Sequence, residues 1–365
     1  SCRWMRAKTG SAKIILGTRS ALLCDFKNLG MIIVDEEHDS SYRHHSPLFF
    51  SARDMSVLKG HLESIPVILG SATPSLESML NAQKGRYVYH TLFERMNTQM
   101  PSIHLLEHKT SDVLHPTIHK AIEHTLIKKK NVLVFIGRRG WSNLLYCLNC
   151  QWKATCEVCN SNLILHEDQH LHCHQCSTKF KYYTDCPSCQ QAELTSFGLG
   201  SQQVKHALSK LWPEHQVLRF DTDQNTAELR KQFDALPSYE ATILVGTQMM
   251  TKGHDIASIE TVVIIQADQG LYAHDFRANE NVFAELLQTA GRCGRNKSSG
   301  TVWIQAKQTN HEVFDALVNS PINYYQILLN QRKSYHLPPY TYHTVVYFLI
   351  PKIDESWLKK MINAQ

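Results

Sequence analysis

The sequence predicts an α/β protein of two parallel-sheet lobes, with a cysteine-rich insertion in the second lobe. Three observations predict it. Short apolar runs alternate with longer polar–apolar stretches, the pattern of parallel strands covered by helices. Several of those runs end in Gly, Asp, Ser or Thr, at the strand ends where open α/β sheets bind ligands. Four Cys-x-x-Cys pairs lie between Cys147 and Cys189.

Strands are expected at Lys13–Leu16, Met31–Val34, Val67–Leu69, Asn131–Ile136, Val217–Phe220, Thr242–Val245, Thr261–Ile265 and Thr301–Gln305. Helices are expected at Ser51–His61, Ile118–Lys129 and Asn281–Arg292. The mixed stretch Glu94–His115, which contains Pro101, is the expected hinge. It divides a first lobe at 1–108 from a second at 109–335, with the insertion at 147–190. After Leu337-Pro338-Pro339, the run Thr344–Ile350 reads as the first element of a further domain at 336–365.

The 365 residues, 43% of them hydrophobic, suffice for two or three domains with buried cores. No apolar run approaches the roughly 18 residues of a membrane span, so no membrane partner is expected. A formal charge of +5 permits nucleic-acid binding without arguing for it. The 21 histidines would raise that charge as pH falls toward about 6. Ser1-Cys2-Arg3-Trp4 reads as neither a signal peptide nor a natural initiator, so a fragment of a longer protein is expected.

The pairs are Cys147/Cys150, Cys156/Cys159, Cys173/Cys176 and Cys186/Cys189; only Cys2, Cys24 and Cys293 fall outside them. A two-residue spacer turns both thiolates toward one ion, and a closed tetrahedral zinc site needs two pairs. Four pairs therefore supply two structural zinc ions. A disulfide framework belongs to short secreted chains, and no secretory segment is present here; the usage fits a reducing cytosol. The thirteen-residue gap between the second and third pairs is close to a zinc-ribbon spacing. It favours Cys156, Cys159, Cys173 and Cys176 on one ion, leaving Cys147, Cys150, Cys186 and Cys189 for the other. His172 and His174 flank Cys173, but the thiolate count is already complete.

Three further motifs follow in order along the chain. In Met31-Ile32-Ile33-Val34-Asp35-Glu36-Glu37-His38 a strand delivers two acids to its end. There Asp35 suits a magnesium ion held through water, and Glu36 suits the attacking water. In Leu69-Gly70-Ser71-Ala72-Thr73-Pro74 small hydroxyl residues end another strand and can relay hydrogen bonds. In Gln288-Thr289-Ala290-Gly291-Arg292-Cys293-Gly294-Arg295 two arginines share a helical face, with a glutamine one turn earlier. Guanidinium groups so placed can neutralise charge on a transferring γ-phosphate. Taken alone, the first also reads as an acidic strand end facing solvent, and the second reads better as a plain turn. The third also reads as a basic helix end countering its own dipole. Their order makes those readings improbable.

With these residues the chain resembles the superfamily 2 helicases, and more closely their PriA-type replication-restart branch. The likeness also rests on Gly17-Thr18-Arg19-Ser20-Ala21-Leu22, Gly246-Thr247-Gln248-Met249, Lys252-Gly253-His254, Asp275-Phe276-Arg277-Ala278-Asn279-Glu280 and the cysteine insertion. It implies two RecA-like lobes, ATP with Mg2+ as nucleotide, and 3′ to 5′ unwinding of DNA at stalled forks. Implied catalytic residues are Asp35, Glu36, Arg292 and Arg295, with Glu37, His38, Gln288, Gly253 and Asp255 about the nucleotide. Implied DNA contacts are Thr18, Arg19, Thr247 and Lys252, with Tyr42 and Arg43 in an aromatic-rich loop running through Phe49-Phe50 that senses DNA. The nested zinc pairing is implied as well. Implied partners are forked and single-stranded DNA, other primosome proteins, single-strand-binding protein and the replicative helicase loader. The implied location is the bacterial cytoplasm, at replication forks of the nucleoid.

One departure stands out. No Gly-x-x-x-x-Gly-Lys-Ser/Thr occurs, and Lys8-Thr9-Gly10 is not such a loop. The isolated chain is therefore expected not to hydrolyse ATP. Cys293 stands where the family more often has Ala. Two other readings compete: a zinc-dependent binding module with vestigial motor lobes, and an RNA helicase of the same superfamily.

Overall fold

The computed structural model describes residues 2–44, 50–92, 101–110, 112–137, 144–147, 149–150, 152–158, 163–165, 170–173, 178–191, 194–197, 200–221, 224, 226–235, 238–247, 259–273, 275–294 and 300–343. The front part holds α1 (Cys2–Lys8), β1 (Ile32–Val34), the short pair β2 (Arg43–His44) and β3 (Phe50–Ser51), α2 (Ala52–Glu63), β4 (Val67–Leu69) and α3 (Leu76–Gln83). β1 and β4 pair in parallel, so their carboxyl ends lie side by side. Ser51 caps α2 by accepting Asp54 N–H, and Ser75 caps α3 by accepting Ser78 N–H.

The rear part begins with β5 (Ser102–Glu107), α4 (Pro116–Ile127) and β6 (Asn131–Ile136). The insertion supplies β7 (Leu144–Cys147), β8 (Leu163–Leu165), β9 (His170–Cys173), β10 (Lys179–Lys181) and β11 (Leu194–Phe197). Then come α5 (Ser201–Leu211), β12 (Val217–Phe220), α6 (Thr226–Ala235), β13 (Ile243–Gly246), β14 (Ile259–Ile265), α7 (Ala278–Ala290), β15 (Thr301–Ala306), α8 (Glu312–Asn319) and α9 (Pro321–Ser334).

Six strands form an all-parallel sheet in the order β12-β13-β6-β14-β15-β5. Both faces are covered, so the inner strands β6, β13 and β14 are mostly apolar and buried rather than alternating. Leu133, Phe135, Leu244 and Ile264 point to the side of α7, α8 and α9, where Phe283, Leu286, Phe314 and Leu328 complete the cluster. Val132, Val134, Ile243 and Val263 point to the other side, toward Ile118 and Ile122 of α4 and Val204 and Leu208 of α5. The insertion folds separately as a five-stranded antiparallel sheet, β10-β9-β8-β7-β11, over a small core of its own.

Two expectations differ. Residues 13–16 form no strand, and Ile14 and Leu16 stay exposed. An apolar run needs a neighbouring ladder, and no described residue supplies one. The expected hinge Glu94–His115 contains β5, the edge strand beside β15, so the rear sheet starts ahead of the 108/109 boundary. Ile103 and Leu105 pack on its core, an alternation of two that the mixed surroundings hid. Residues 344–365, where a further domain is expected, lie outside the described residues, as do 94–100 and 111 of the hinge.

Candidate active site and metal centre

The turn after β1 is pinned to the turn after β4. Gly70 N–H donates to Val34 C=O at 2.8 Å, and Glu37 N–H donates to Gly70 C=O at 3.0 Å. This brings the acidic motif and the Ser-Ala-Thr motif together at adjacent strand ends. Glu36 takes a left-handed conformation (φ 48°), and its N–H donates to Asp35 Oδ1 at 3.0 Å. The Tyr42 hydroxyl donates to Asp35 C=O at 2.7 Å. Burial first, then the charges of Asp35, Asp39 and Glu36, push the Tyr42 phenol above its ordinary value. The strand end is therefore a negative site that suits a cation.

The rear part meets this strand end through Gln288 of α7. Its amide nitrogen lies 2.7 Å from His38 Nε2, 3.2 Å from Thr73 Oγ1 and 3.4 Å from Glu36 Oε2. An amide nitrogen only donates, so His38 Nε2 accepts and the ring proton sits on Nδ1. From there it donates to Ser71 Oγ at 2.7 Å. Glu36 Oε2 is 3.6 Å from the same Nδ1. One amide thus ties three motifs that lie far apart in sequence.

Glu37 behaves differently from its neighbours. It is 2% exposed, and its oxygens accept from Ser75 N–H at 2.6 Å, Ser75 Oγ and Ser78 Oγ at 3.0 Å each, and Arg53 Nη1 at 3.2 Å. The expectation grouped it with the nucleotide contacts. The structure instead turns it away from the cleft, where it fixes the head of α3. Arg53 and Ser75 are functional neighbours that the sequence reading missed. Ser75 carried a signal, a serine before a helical run with Ser78 three residues on; a lone arginine inside α2 carried none.

Arg292 follows α7 and is buried, while Arg295, Lys252, Gly253, Asp255 and Phe49 lie outside the described residues. Thr18 precedes a short helical turn, and Arg19 Nη1 donates to Arg43 C=O at 2.7 Å, so two of the expected DNA-contacting stretches touch. Thr247 donates its hydroxyl to Asp221 Oδ1 at 3.1 Å. Asp221 is 1% exposed and also accepts from Ser201 at the head of α5, a buried junction that the sequence did not announce.

In the insertion, the sulfurs of Cys147, Cys150, Cys186 and Cys189 all lie within 4.8 Å of one another. Cys147 and Cys189 are 3.5 Å apart, and Cys150 and Cys186 are 3.6 Å apart. Four thiolates on a tetrahedral zinc ion, with Zn–S of about 2.3 Å, stand roughly 3.8 Å apart, so the donor set and its spacing fit zinc. For the inner set, Cys156 and Cys173 are buried in one small cluster with Leu145, Leu163 and Leu171. Cys159 and Cys176 lie outside the described residues.

Residues 186–297 match the family model of the helicase conserved C-terminal domain. Over 358 residues the chain is 34% identical to the replication restart protein PriA of Haemophilus influenzae, covering 94% of this chain and 48% of that protein. The PriA proteins of Chlamydia muridarum (36% over 355 residues, 93% and 47%) and Bacillus subtilis (32% over 354 residues, 94% and 44%) are similar in the same way. The chain spans about half the length of the curated relatives it matches. By the order of its motifs, the Gln288 junction, the cysteine cluster and these relatives, the chain belongs to the PriA-type superfamily 2 helicases.

Proposed function

We propose that the chain is part of an ATP-driven 3′ to 5′ DNA helicase of replication restart. It binds stalled forks, unwinds duplex DNA, and promotes primosome assembly and reloading of the replicative helicase. One observation carries the motor reading: Gln288 of the rear part touches Glu36, His38 and Thr73 of the front part. A nucleotide site shared between two lobes needs this closure, because charge must be neutralised from both sides as the γ-phosphate leaves.

In this reading Asp35 holds the magnesium ion through water, and Glu36 orients the attacking water. Arg292 and Arg295 stabilise charge on the γ-phosphate, and Gln288 and His38 report nucleotide state between the lobes. Gly253 and Asp255 complete the nucleotide side. Thr18, Arg19, Tyr42, Arg43, Thr247 and Lys252 follow the single-strand backbone, which positions a strand without reading its sequence. The Thr247 hydroxyl proton is directed to Asp221, so its contact with a phosphate falls to the backbone N–H. Two closed thiolate sites give the zinc no open position, so the insertion folds around metal and serves as a docking surface at the fork. Its partners are primosome proteins, single-strand-binding protein and the helicase loader. The protein works in the bacterial cytoplasm, at forks within the nucleoid.

The phosphate loop is not in this sequence, so the isolated 365-residue chain does not turn over ATP. The decisive experiment is Glu36→Gln in the full-length enzyme. DNA-stimulated turnover should fall by at least about a hundredfold while nucleotide still binds. Retained turnover removes Glu36 from its role, and robust turnover by the isolated chain overturns the dependence on the missing loop.

A further inference from the structure

The segment Asp275–Glu280 has no part in the reactions above, yet its side chains reach across to the front part. We propose that Arg277 and Glu280, at the head of α7, are positioning residues: they grip the first turn of α3 and thereby set where Gln288 meets Glu36. The proposal rests on the motor reading of the same cleft.

The grip has two fingers. Glu280 Oε1 accepts Leu76 N–H at 3.4 Å, and Arg277 Nη2 lies 3.7 Å from Glu77 Oε1. Leu76 and Glu77 are the first two residues of α3, so both fingers close on one helical turn. Leu76 N–H is among the donors that a helix start leaves without an internal partner, and a carboxylate is the partner such a terminus favours.

Each finger is itself braced. Asp275 Oδ1 accepts Arg277 N–H at 2.9 Å, and Asp275 C=O accepts Ala278 N–H at 2.8 Å, which fixes the turn into α7. Arg332 of α9 donates to Glu280 Oε2 at 2.9 Å and to Pro338 C=O at 2.9 Å. The guanidinium groups of Arg277 and Arg332 both stand 4.5 Å from the Phe276 ring centroid. Burial, then the charge of Glu77, pushes the Glu280 carboxyl up, and burial, then Arg43, pushes Arg277 down. Holding both ions in this interface is costly, which argues for a role other than stability.

The geometry then carries the effect to the cleft. Glu280, Ala284 and Gln288 are spaced four apart along α7, and a small cavity beside the first two is also lined by His38, Thr73 and Tyr325. From Glu280 to Gln288 is eight residues, about 12 Å of rigid helix. On the other side, α3 follows Thr73 by only three residues. Leu76 and Leu80 are buried in the rear core, and Gln83 donates to Gln326 of α9 at 2.6 Å. Fixing α3 against α7 therefore fixes Thr73 against Gln288.

The test uses the full-length enzyme with two readouts: amide hydrogen exchange across residues 75–80, and DNA-stimulated ATP turnover. Arg277→Ala and Glu280→Gln should each raise exchange in that turn by about tenfold. They should also lower kcat about tenfold while KM for ATP stays within about threefold. Arg277→Lys, which keeps the charge, should restore part of both. Unchanged exchange overturns the grip. Raised exchange with wild-type turnover overturns its positioning role, and so does a loss that tracks global unfolding and is not rescued by lysine. If wild-type enzyme lacks DNA-stimulated turnover, the motor reading fails instead, while exchange still reports on the grip.

Discussion

Glu37 and Glu280 reach from opposite parts of the molecule to neighbouring backbone amides at the head of α3. Glu37 takes Ser75 N–H at 2.6 Å, and Glu280 takes Leu76 N–H at 3.4 Å. Two carboxylates thus share one positive helix end, each satisfying a donor the helix cannot. The front carboxylate follows directly on Asp35 and Glu36, and the rear one opens the helix that carries Gln288. The head of α3 is the joint through which both halves of the cleft are registered.

Glu37→Gln tests the front half of that joint. The Glu37–Arg53 contact is 3.2 Å with side chains 1% and 9% exposed, so the variant leaves a buried guanidinium short of one counter-charge. Arg53 keeps Asp54 at 2.7 Å, which limits the damage. The expected cost is about 3 kcal/mol in chemical denaturation. A cost within about 0.5 kcal/mol would show that the pair adds nothing to fixing α3.

Gln288→Glu tests the cleft itself. The amide nitrogen has two protons and faces three acceptors, of which Glu36 at 3.4 Å is the most distant. Replacing it by carboxylate removes both donors and sets a like charge beside Glu36. In the full-length enzyme, kcat should fall at least about tenfold, and Gln288→Ala should fall less because it adds no repulsion. Equal loss in both variants would mean that only the lost hydrogen bonds matter. Stopped-flow nucleotide binding separates these effects from affinity.

Metal analysis tests the insertion. Two zinc ions per chain are expected, and Cys186→Ser should remove one of them. Because the insertion has its own five-stranded sheet and core, the loss should leave the six-stranded sheet folded. Exchange should rise across residues 144–197 and stay low in β6 and β14. A chelator that unfolds the rear sheet too would show that the two are energetically one unit.

Most of the rear sheet was legible because its strands are buried on both faces. Runs such as Asn131–Ile136 carry that burial in their composition, and six of six residues there are buried. β5 was not legible: it is an edge strand whose residues are exposed or only half buried, and neighbouring Pro101 masked it. The motifs singled out Asp35, Glu36, His38 and Gln288 as candidates, and the structure places Glu36 and His38 beside the Gln288 amide nitrogen. Glu37 was misplaced because a sequence shows that acids are adjacent but not which way each turns. The positive φ of Glu36 sends Glu37 to the other side. Arg53 and Arg332 were invisible for a related reason: a buried ion pair leaves no periodic trace in a helix.

A pH dependence follows from His311, the residue that caps α8. Its Nδ1 accepts Val313 N–H at 3.2 Å, which requires that nitrogen to be unprotonated. Burial lowers its pKa, with the nearby charge of Glu312 opposing. The folded state therefore binds the His311 proton more weakly than the unfolded chain does. The stability it contributes is present above the ordinary value of about 6.5 and is lost as pH falls through the lowered folded value. α8 buries Val313, Phe314 and Leu317 against α7 and α9, so fraying its start loosens the side of the core that backs Gln288. His311→Asn keeps a capping acceptor and removes the titration. Urea unfolding at about pH 7.5 and 5.5 should show a smaller loss of stability on acidification in this variant than in the parent. An equal loss in both would assign the acid sensitivity to other groups, and would mean that the cap survives protonation by using a different acceptor.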